Sequence, residues 1–209
     1  MATESTPAAE TVYVVDDDAS MRTALDRMFR IEGFAVKTFD SPAAFLSHNH
    51  DVAPCCAVLD LRMPALDGLA LQARLREAGR MLPVVFITGH GDVPTSVRAM
   101  KTGAIDFIEK PFESEDLIAA VRTALDVSRD SVHAREQLAV LERKLKSLTP
   151  REKEVFILVA RGLMNKVIAA RLGTAEKTIK VHRGRVMEKM EAGSLAELVR
   201  IAERLDQTK

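Results

Sequence analysis

Short apolar runs alternate with amphipathic stretches through the first half of the chain. The runs are Val12–Val15, Phe34–Phe39, Cys55–Leu59, Val84–Thr88 and Ala104–Ile108. The first and the fourth are almost purely apolar, as the strands of a parallel sheet are when helices cover both of its faces. The pattern therefore predicts five buried parallel strands.

Helical patterns fill the stretches between these runs and carry their own start signals. Asp18 stands before the pattern Ala19–Glu32, and Gly33 follows it. Asp92 precedes the pattern Val93–Thr102 in the same way. Five units of a strand followed by a helix predict an α/β doubly wound parallel sheet with right-handed crossovers. Such sheets carry functional side chains at the carboxyl ends of their strands.

Only helical patterns follow Glu113. A stripe from Leu117 to Leu125 is followed by the polar patch Ser128–Ser131. Apolar residues then recur at alternating spacings of four and three, at Ala134, Leu138, Leu141, Leu145 and Leu148. This pattern predicts a long linker helix. Two interpretations of the stripe are open: it lies on a neighbouring domain, or it pairs between two chains.

The segment Thr149-Pro150-Arg151-Glu152 starts a new helical region, because Thr149 and Glu152 have the spacing of a capping box and Pro150 suits the first helical position. Four helices are predicted after it: Pro150–Arg161, Asn165–Leu172, Glu176–Met190 and Leu195–Leu205. We therefore predict a disordered tail at residues 1–10, an α/β domain at 11–126, a helical linker at 127–148 and an all-α domain at 149–209.

The net charge of zero hides a difference between the two halves. Residues 1–126 hold 12 basic and 19 acidic residues, a balance of −7, whereas residues 127–209 hold 18 and 11, a balance of +7. A basic half of this kind suggests a nucleic-acid partner. The adjacent Cys55 and Cys56 suit a reducing compartment, and no apolar stretch approaches the ~20 residues of a membrane helix. We therefore expect a cytoplasmic protein with no membrane association.

Acidic and other polar residues follow the predicted strands. Asp16 and Asp17 come after the first strand and Asp60 after the third, while Thr88 ends the fourth and Lys110 follows the fifth. Three carboxylates at one sheet edge form a hard-oxygen site for Mg²⁺, and a carboxylate beside that metal can attack a phosphoryl group. The positive charge of Lys110 and the hydroxyl donor of Thr88 would then contact the phosphoryl oxygens. The alternative is that the acidic loops only cap helices.

Residues 11–126 resemble the receiver domain of bacterial two-component systems. The resemblance rests on VVDDD (14–18), VLDLRMPALDG (58–68), VVFITGHGD (84–92) and FIEKPF (107–112). It implies a flavodoxin-like (CheY-like) fold, with Asp60 as the phospho-acceptor and Lys110 contacting the phosphoryl group. It also implies Mg²⁺ held by Asp16, Asp17, Asp60 and the backbone carbonyl of Arg62, and a switch pair formed by Thr88 and Phe107.

Phosphatases of the haloacid dehalogenase type are the rival class. They need a second Asp two residues after the nucleophile as a general acid, and here that position is Arg62. We therefore expect a phosphorylation switch and not an enzyme.

The second half resembles the helix-turn-helix output domain of LuxR/FixJ-type regulators. The resemblance rests on LTPRE (148–152), GLMNKVIAARLG (162–173) and KTIKVHRGRVMEKM (177–190). Together the two halves resemble a FixJ-like response regulator. This implies a sensor histidine kinase, double-stranded promoter DNA and RNA polymerase as partners, and a homodimer on phosphorylation. The alternative is a switch whose four-helix domain binds protein instead of DNA.

The third helix of this half has the pattern of a DNA-reading helix. At about 100° per residue, Ile179, Val186, Met187 and Met190 form a buried face, and basic residues fill the opposite arc. We place Lys180 and Val181 near the middle of that arc, against bases. The whole predicted DNA-contacting set is Lys166, Lys177, Thr178, Lys180, Val181, His182, Arg185 and Lys189.

Two residues depart from the pattern of the family. Ala175 stands where a capping Ser is usual, and the loss of such a cap costs about 1 kcal/mol unless Thr174 or Thr178 compensates. Gly184 lies inside the helix at a similar cost.

Overall fold

A computed structural model of the chain describes residues 10–49, 54–89 and 93–206. Most of the predicted tail and the predicted cap Asp92 lie outside the described residues. The strands are Thr11–Val15 (β1), Ala35–Phe39 (β2), Cys55–Asp60 (β3), Val84–Thr88 (β4) and Asp106–Glu109 (β5). The helices are Ala19–Ile31 (α1), Pro42–Ser47 (α2), Gly68–Glu77 (α3), Val93–Lys101 (α4), Ser114–Ser147 (α5), Pro150–Ala160 (α6), Asn165–Leu172 (α7), Glu176–Lys189 (α8) and Leu195–Asp206 (α9).

The predicted doubly wound sheet is confirmed. Its five strands are all parallel and lie in the order β2-β1-β3-β4-β5, which is the flavodoxin-like order. The register places Val15 beside Leu59, and Asp60 beside Ile87. The residues that follow β1 and end β3 therefore reach the same edge of the sheet.

Helices cover both faces of this sheet. Apolar side chains of α1 and α5, such as Phe29 and Val121, pack on one face. Side chains of α2, α3 and α4, such as Phe45, Leu71 and Ala99, pack on the other. The central strands β1, β3 and β4 are buried on both sides, which explains their nearly continuous apolar sequences.

Polar side chains set the starts of the helices in this unit. Asp18, the predicted cap of α1, accepts hydrogen bonds from the backbone N–H groups of Ser20 and Met21. Ser41 and Asp67 cap α2 and α3 in the same manner. Each side chain satisfies a backbone donor that the first helical turn leaves unpaired.

The polar patch Ser128–Ser131 does not interrupt α5, which runs unbroken from Ser114 to Ser147. Ser128 is buried, and its hydroxyl accepts a hydrogen bond of 2.9 Å from the backbone N–H of Cys55. This bond joins α5 to the start of β3. The first compact unit of the chain accordingly ends at Val132 and the second begins at His133.

The second unit is built from the end of α5 and from helices α6 to α9. Its core includes Leu148, Val155, Ile168, Ile179 and Leu198. The predicted capping box at Thr149 and Glu152 is present. The last residue of the linker stripe, Leu148, belongs to this core, and two further residues of the stripe, Leu141 and Leu145, pack against it. This part of the stripe thus lies on its own domain. No helix in the described ranges is both long and apolar enough to span a membrane.

Candidate functional site

Three charged side chains meet at the carboxyl edge of the sheet. Asp16 follows β1, Asp60 ends β3 and Lys110 follows β5. The Lys110 ammonium donates to Oδ2 of Asp16 at 2.9 Å and to Oδ1 of Asp60 at 3.0 Å. Asp16 and Asp60 are only 1% and 6% exposed. One lysine therefore bridges two buried carboxylates.

Backbone donors hold the other oxygen of each carboxylate. The N–H of Asp18 donates to Oδ1 of Asp16 at 2.8 Å, and the N–H of Arg62 donates to Oδ2 of Asp60 at 3.0 Å. Each donor lies two residues after the carboxylate that it contacts. The turns that follow β1 and β3 therefore fix the orientation of the two carboxylates, which are also linked through Lys110.

Burial and neighbouring charges together set the pKa values of Asp60 and Lys110. Burial raises the pKa of the Asp60 carboxyl, the hydrogen bond from Lys110 lowers it and the charge of Asp16 raises it, with a net upward shift. Burial disfavours the Lys110 ammonium, but its hydrogen bonds to Asp16 and Asp60 outweigh this effect and raise the pKa of Lys110. Because two carboxylates share one ammonium, the site favours a further positive charge.

The donor chemistry of the site suits Mg²⁺, which prefers a few carboxylate oxygens. The structure gathers Asp16 and Asp60 but leaves the side chain of Asp17 exposed to solvent. Among the described residues, no three His, Cys, Asp or Glu side chains form a group that could hold a metal ion. Arg62 turns its N–H toward Asp60. The predicted metal roles of Asp17 and of the Arg62 carbonyl stay predictions.

The two residues predicted to form a switch pair share one face of the sheet. Thr88 is fully buried at the end of β4. The register pairs Thr88 with Glu109 and Phe86 with Phe107, so the side chains of Thr88 and Phe107 point to the same side. The Phe107 ring is partly buried against the core on that side. Thr88 and Phe107 therefore lie diagonally opposite on neighbouring strands.

Gly68 is required by a close backbone approach beneath Asp60, although the sequence pattern does not single it out. Its N–H donates to the carbonyl of Leu61 at 2.9 Å. A Cβ at this position would lie 2.6 Å from the Asp60 carbonyl oxygen and 3.0 Å from the Phe86 ring. Only glycine allows α3 to begin so near the backbone of Asp60.

Helix α8 exposes most of the predicted DNA-contacting side chains. Ile179, Val186 and Met190 are fully buried, which confirms the predicted inner face. At about 100° per residue, Lys177 and Val181 stand about 160° around the helix from Ile179, whereas Lys180 stands about 100° away, toward one flank. The exposed members of the predicted set are Lys166, Lys177, Thr178, Lys180, Val181 and Arg185.

Two members of the predicted set lie elsewhere. The Lys189 ammonium donates to Oε2 of Glu152 at 2.6 Å and to the carbonyl of Ser147 at 3.3 Å. It is thus engaged within its own unit, because Glu152 is a buried carboxylate that needs a partner. His182 is partly buried, and its Nδ1 atom has no hydrogen-bond partner among the described residues.

Several polar side chains that position α7 and α8 were not found from the sequence. Arg151 donates to the carbonyl of Leu172 at 2.6 Å, at the end of α7. Arg183 donates to Oδ1 of Asn165 at 3.1 Å. No described side chain caps α8 at Ala175, so neither neighbouring threonine compensates for the missing Ser. The contacts made by Arg151 and Arg183 join residues that are 18 or more positions apart, so the local sequence gives no signal of them.

Two family models match the chain. Residues 12–122 match the response regulator receiver domain, and residues 146–202 match the bacterial regulatory proteins of the luxR family. The two matches fall on the doubly wound sheet and on the helical unit, respectively.

Known proteins resemble the chain over most of its length. Nodulation protein W of Bradyrhizobium diazoefficiens is 47% identical, over 93% of this chain and 86% of its own. The transcriptional regulatory protein FixJ of the same organism is 42% identical, over 92% of this chain and 94% of its own. The solved structure of the response regulator StyR is 48% identical with a TM-score of 0.82, and covers 94% of this chain and 100% of its own.

Proposed function

The chain belongs to the two-component response regulators that join a receiver domain to a luxR-type DNA-binding domain, and on this premise we propose that phosphorylation of Asp60 controls its binding to promoter DNA. Proteins of this family are transcription regulators and not typically enzymes. The observation that carries the proposal is the Lys110 ammonium held between the buried carboxylates of Asp16 and Asp60.

The phosphoryl group comes from a histidine of a sensor kinase. A carboxylate oxygen of Asp60 forms a bond to phosphorus, the bond from phosphorus to the imidazole nitrogen breaks, and the imidazole takes up a proton. Lys110 then exchanges one carboxylate contact for a phosphoryl oxygen, since its ammonium has three donors and is already at the site. The Arg62 N–H, which donates to Asp60, holds the attacking carboxylate in place.

Asp16, Asp17, Asp60 and the carbonyl of Arg62 would hold Mg²⁺ at this edge. When bound, the metal neutralises the carboxylates and the charge on the transferred phosphoryl oxygens. The excess of negative charge around Lys110 supports this assignment. Asp17, whose side chain is exposed, would take part only with that side chain turned inward.

The signal passes from the phosphoryl group to Thr88 and Phe107. A phosphoryl oxygen draws the Thr88 hydroxyl toward Asp60 and opens space on the sheet face that Thr88 shares with Phe107. The Phe107 ring, which is only partly buried, then moves inward. This changes the surface near β5 and favours a homodimer, whose output domains bind double-stranded promoter DNA through α8 and contact RNA polymerase.

A helical domain that binds protein is the alternative for the second unit. The exposed basic side chains of Lys177, Lys180 and Arg185 and the balance of +7 in the second half favour DNA, because such a surface attracts phosphates. The test is an electrophoretic mobility shift. If the chain retards duplex DNA in a salt-dependent manner, the second unit binds DNA, and if it does not retard DNA even at low salt, a protein partner is favoured.

Mass spectrometry of the intact chain tests the phospho-acceptor. Incubation with acetyl phosphate and Mg²⁺ should add one phosphoryl group per chain, and Asp60→Asn should add none. Asp130→Asn, which removes an exposed carboxylate from α5, is the matched control and should label normally. Normal labelling of Asp60→Asn would identify another nucleophile. Repeated hydrolysis of acetyl phosphate without a stable adduct would indicate a phosphatase.

A further inference from the structure

We propose that Arg183 is a positioning residue of the DNA-reading helix, held by Asn165, and not a contact to DNA. The inference rests on the proposed binding of DNA through α8. Arg183 is a basic residue in the middle of α8 that lies outside the predicted DNA-contacting set. The structure joins its Nη1 atom to Oδ1 of Asn165, the first residue of α7, over 3.1 Å.

The fully buried residues of α8 form a narrow stripe, and one partly buried residue lies beside it. At about 100° per residue, Ile179, Val186 and Met190 lie within about 40° of one another, and Met187, which is partly exposed but packs against the same core, lies about 80° from Ile179. A narrow stripe fixes which side of a helix faces the core, and a flexible methionine beside it adds little resistance to rotation about the helix axis. No described side chain caps the start of the helix at Ala175.

Two polar contacts lie on opposite flanks of this stripe. Arg183 stands about 40° to one side of Ile179 and reaches Asn165 on α7. Lys189 stands about 80° to the other side and reaches Glu152 on α6. The two contacts therefore restrain rotation of α8 in opposite senses. Of the two, Arg183 lies nearer to Lys180, at three residues along the helix and about 60° around it.

A small rotation would change base reading more than phosphate binding. Side-chain ends lie about 5–6 Å from the helix axis, so a rotation of about 20° moves them by about 2 Å. Hydrogen bonds to base edges tolerate only a few tenths of an ångström, whereas a flexible lysine can follow a phosphate over such a distance. Loss of the contact between Arg183 and Asn165 should thus reduce sequence discrimination and preserve general affinity.

Binding titrations of the full chain test this inference. The probes are a duplex that the wild-type chain enriches from a random-sequence pool, and the same duplex with its sequence scrambled. The chain is first incubated with acetyl phosphate and Mg²⁺, and each dissociation constant is measured at several salt concentrations. The variants are Arg183→Gln, Asn165→Ala and their combination. Arg185→Gln, which removes an exposed arginine of the same helix, is the matched control for charge.

We expect Arg183→Gln and Asn165→Ala each to lower the ratio of the two affinities by about tenfold, a typical worth of one base contact. The affinity for the scrambled duplex and the salt slope should not change. The double variant should be no worse than either single variant, since both remove the same contact. Arg185→Gln should instead weaken both duplexes and lower the salt slope by about one.

Asn165→Asp separates a positioning role from a loss of folding, because it keeps an acceptor oxygen for Arg183. It should retain the wild-type ratio, and thermal unfolding checks that every variant is folded. Equal weakening of both duplexes by Arg183→Gln, with a reduced salt slope and no effect of Asn165→Ala, would make Arg183 a phosphate contact and overturn the inference. Failure of the wild-type chain to enrich any duplex would overturn the proposed function and the inference with it.

Discussion

At the scale of single residues, the cluster of Asp16, Asp60 and Lys110 lowers the stability of the fold but suits the binding of a cation or a phosphoryl group. Two carboxylates are buried close together, and one ammonium compensates for them only in part. The raised pKa of Asp60 expresses this cost, since burial and the charge of Asp16 both favour the neutral acid. The fold thus maintains an electrostatic field that stabilises a phosphoryl group or a cation at the site.

Removal of the Asp60 charge should stabilise the chain. Because the pKa of Asp60 is raised on folding, its contribution to stability is present below the ordinary carboxyl pKa of 3.8 and is lost as the pH rises through the folded value. Asp60→Asn should therefore raise the unfolding temperature at about pH 7, and this gain should shrink toward about pH 4. Thermal unfolding monitored by circular dichroism measures the unfolding temperature of the wild-type chain and of Asp60→Asn at each pH. A lower unfolding temperature for Asp60→Asn at neutral pH would contradict this account.

The Glu152 carboxylate is the opposite case, a charge that the fold stabilises. The hydrogen bond from Lys189 and the backbone N–H of Thr149 lower the pKa of Glu152 to about 2. The resulting stability is present above the ordinary pKa of 4.5 and is lost as the pH falls toward about 2. The sequence placed Lys189 against DNA because a basic residue on such a helix gives no sign of a buried partner 37 positions away.

Lys189→Met should destabilise the second unit by about 1–3 kcal/mol at neutral pH, because it leaves a buried carboxylate without its main partner. Lys180→Met, on the exposed part of the same helix, is the control and should change stability little. Denaturant unfolding at several pH values gives the free energy of unfolding of each variant and of the wild-type chain. The difference between the wild-type chain and Lys189→Met should become smaller as the pH falls below about 4.5. If the two variants were equally stable, Lys189 would have no structural role.

At the scale of elements, the sequence was most informative where local chemistry decides the structure. The caps Asp18 and Thr149 mark helix starts that the structure places at the next residue. The sequence was least informative where a distant contact decides. Ser128 belongs to a polar patch that breaks the apolar pattern, yet its hydroxyl is satisfied by the backbone of Cys55 and α5 continues through it.

The same limit applies to the functional site. The order of the strands brings Asp16, Asp60 and Lys110 together. The pattern of apolar runs and helices predicts a doubly wound sheet, whereas the strand order within it is what the resemblance to a receiver domain implies. The exposed side chain of Asp17 and the demand for glycine at position 68 depend on the paths of individual loops, which periodicity does not encode.

The continuity of α5 predicts that its helical phase matters. An insertion of two residues after Arg135 rotates the following part of the helix by about 200°, so it should uncouple phosphorylation from DNA binding. An insertion of seven residues nearly restores the phase and should have a milder effect. Gel-shift titrations with and without acetyl phosphate measure the coupling in both variants. Intact switching in both would show that the segment is a passive tether.

At the scale of the whole molecule, charge and chemistry are divided between two compact units. The acidic first half carries the carboxylate site, and the basic second half carries the exposed face of α8. Phosphorylation can regulate DNA binding only if the two states of the first unit differ in how they affect the second. The proposed regulation therefore requires a coupling free energy between Asp60 and the binding of DNA through α8.

The affinity of the full chain for a duplex selected from a random-sequence pool, measured with and without acetyl phosphate and Mg²⁺, tests this coupling most directly. The wild-type chain should bind the duplex at least about fivefold more tightly after phosphorylation, which is the lower end of typical allosteric coupling. Asp60→Asn should show the same affinity under both conditions. Equal affinities of the wild-type chain in both conditions, with one phosphoryl group present per chain, would contradict the account.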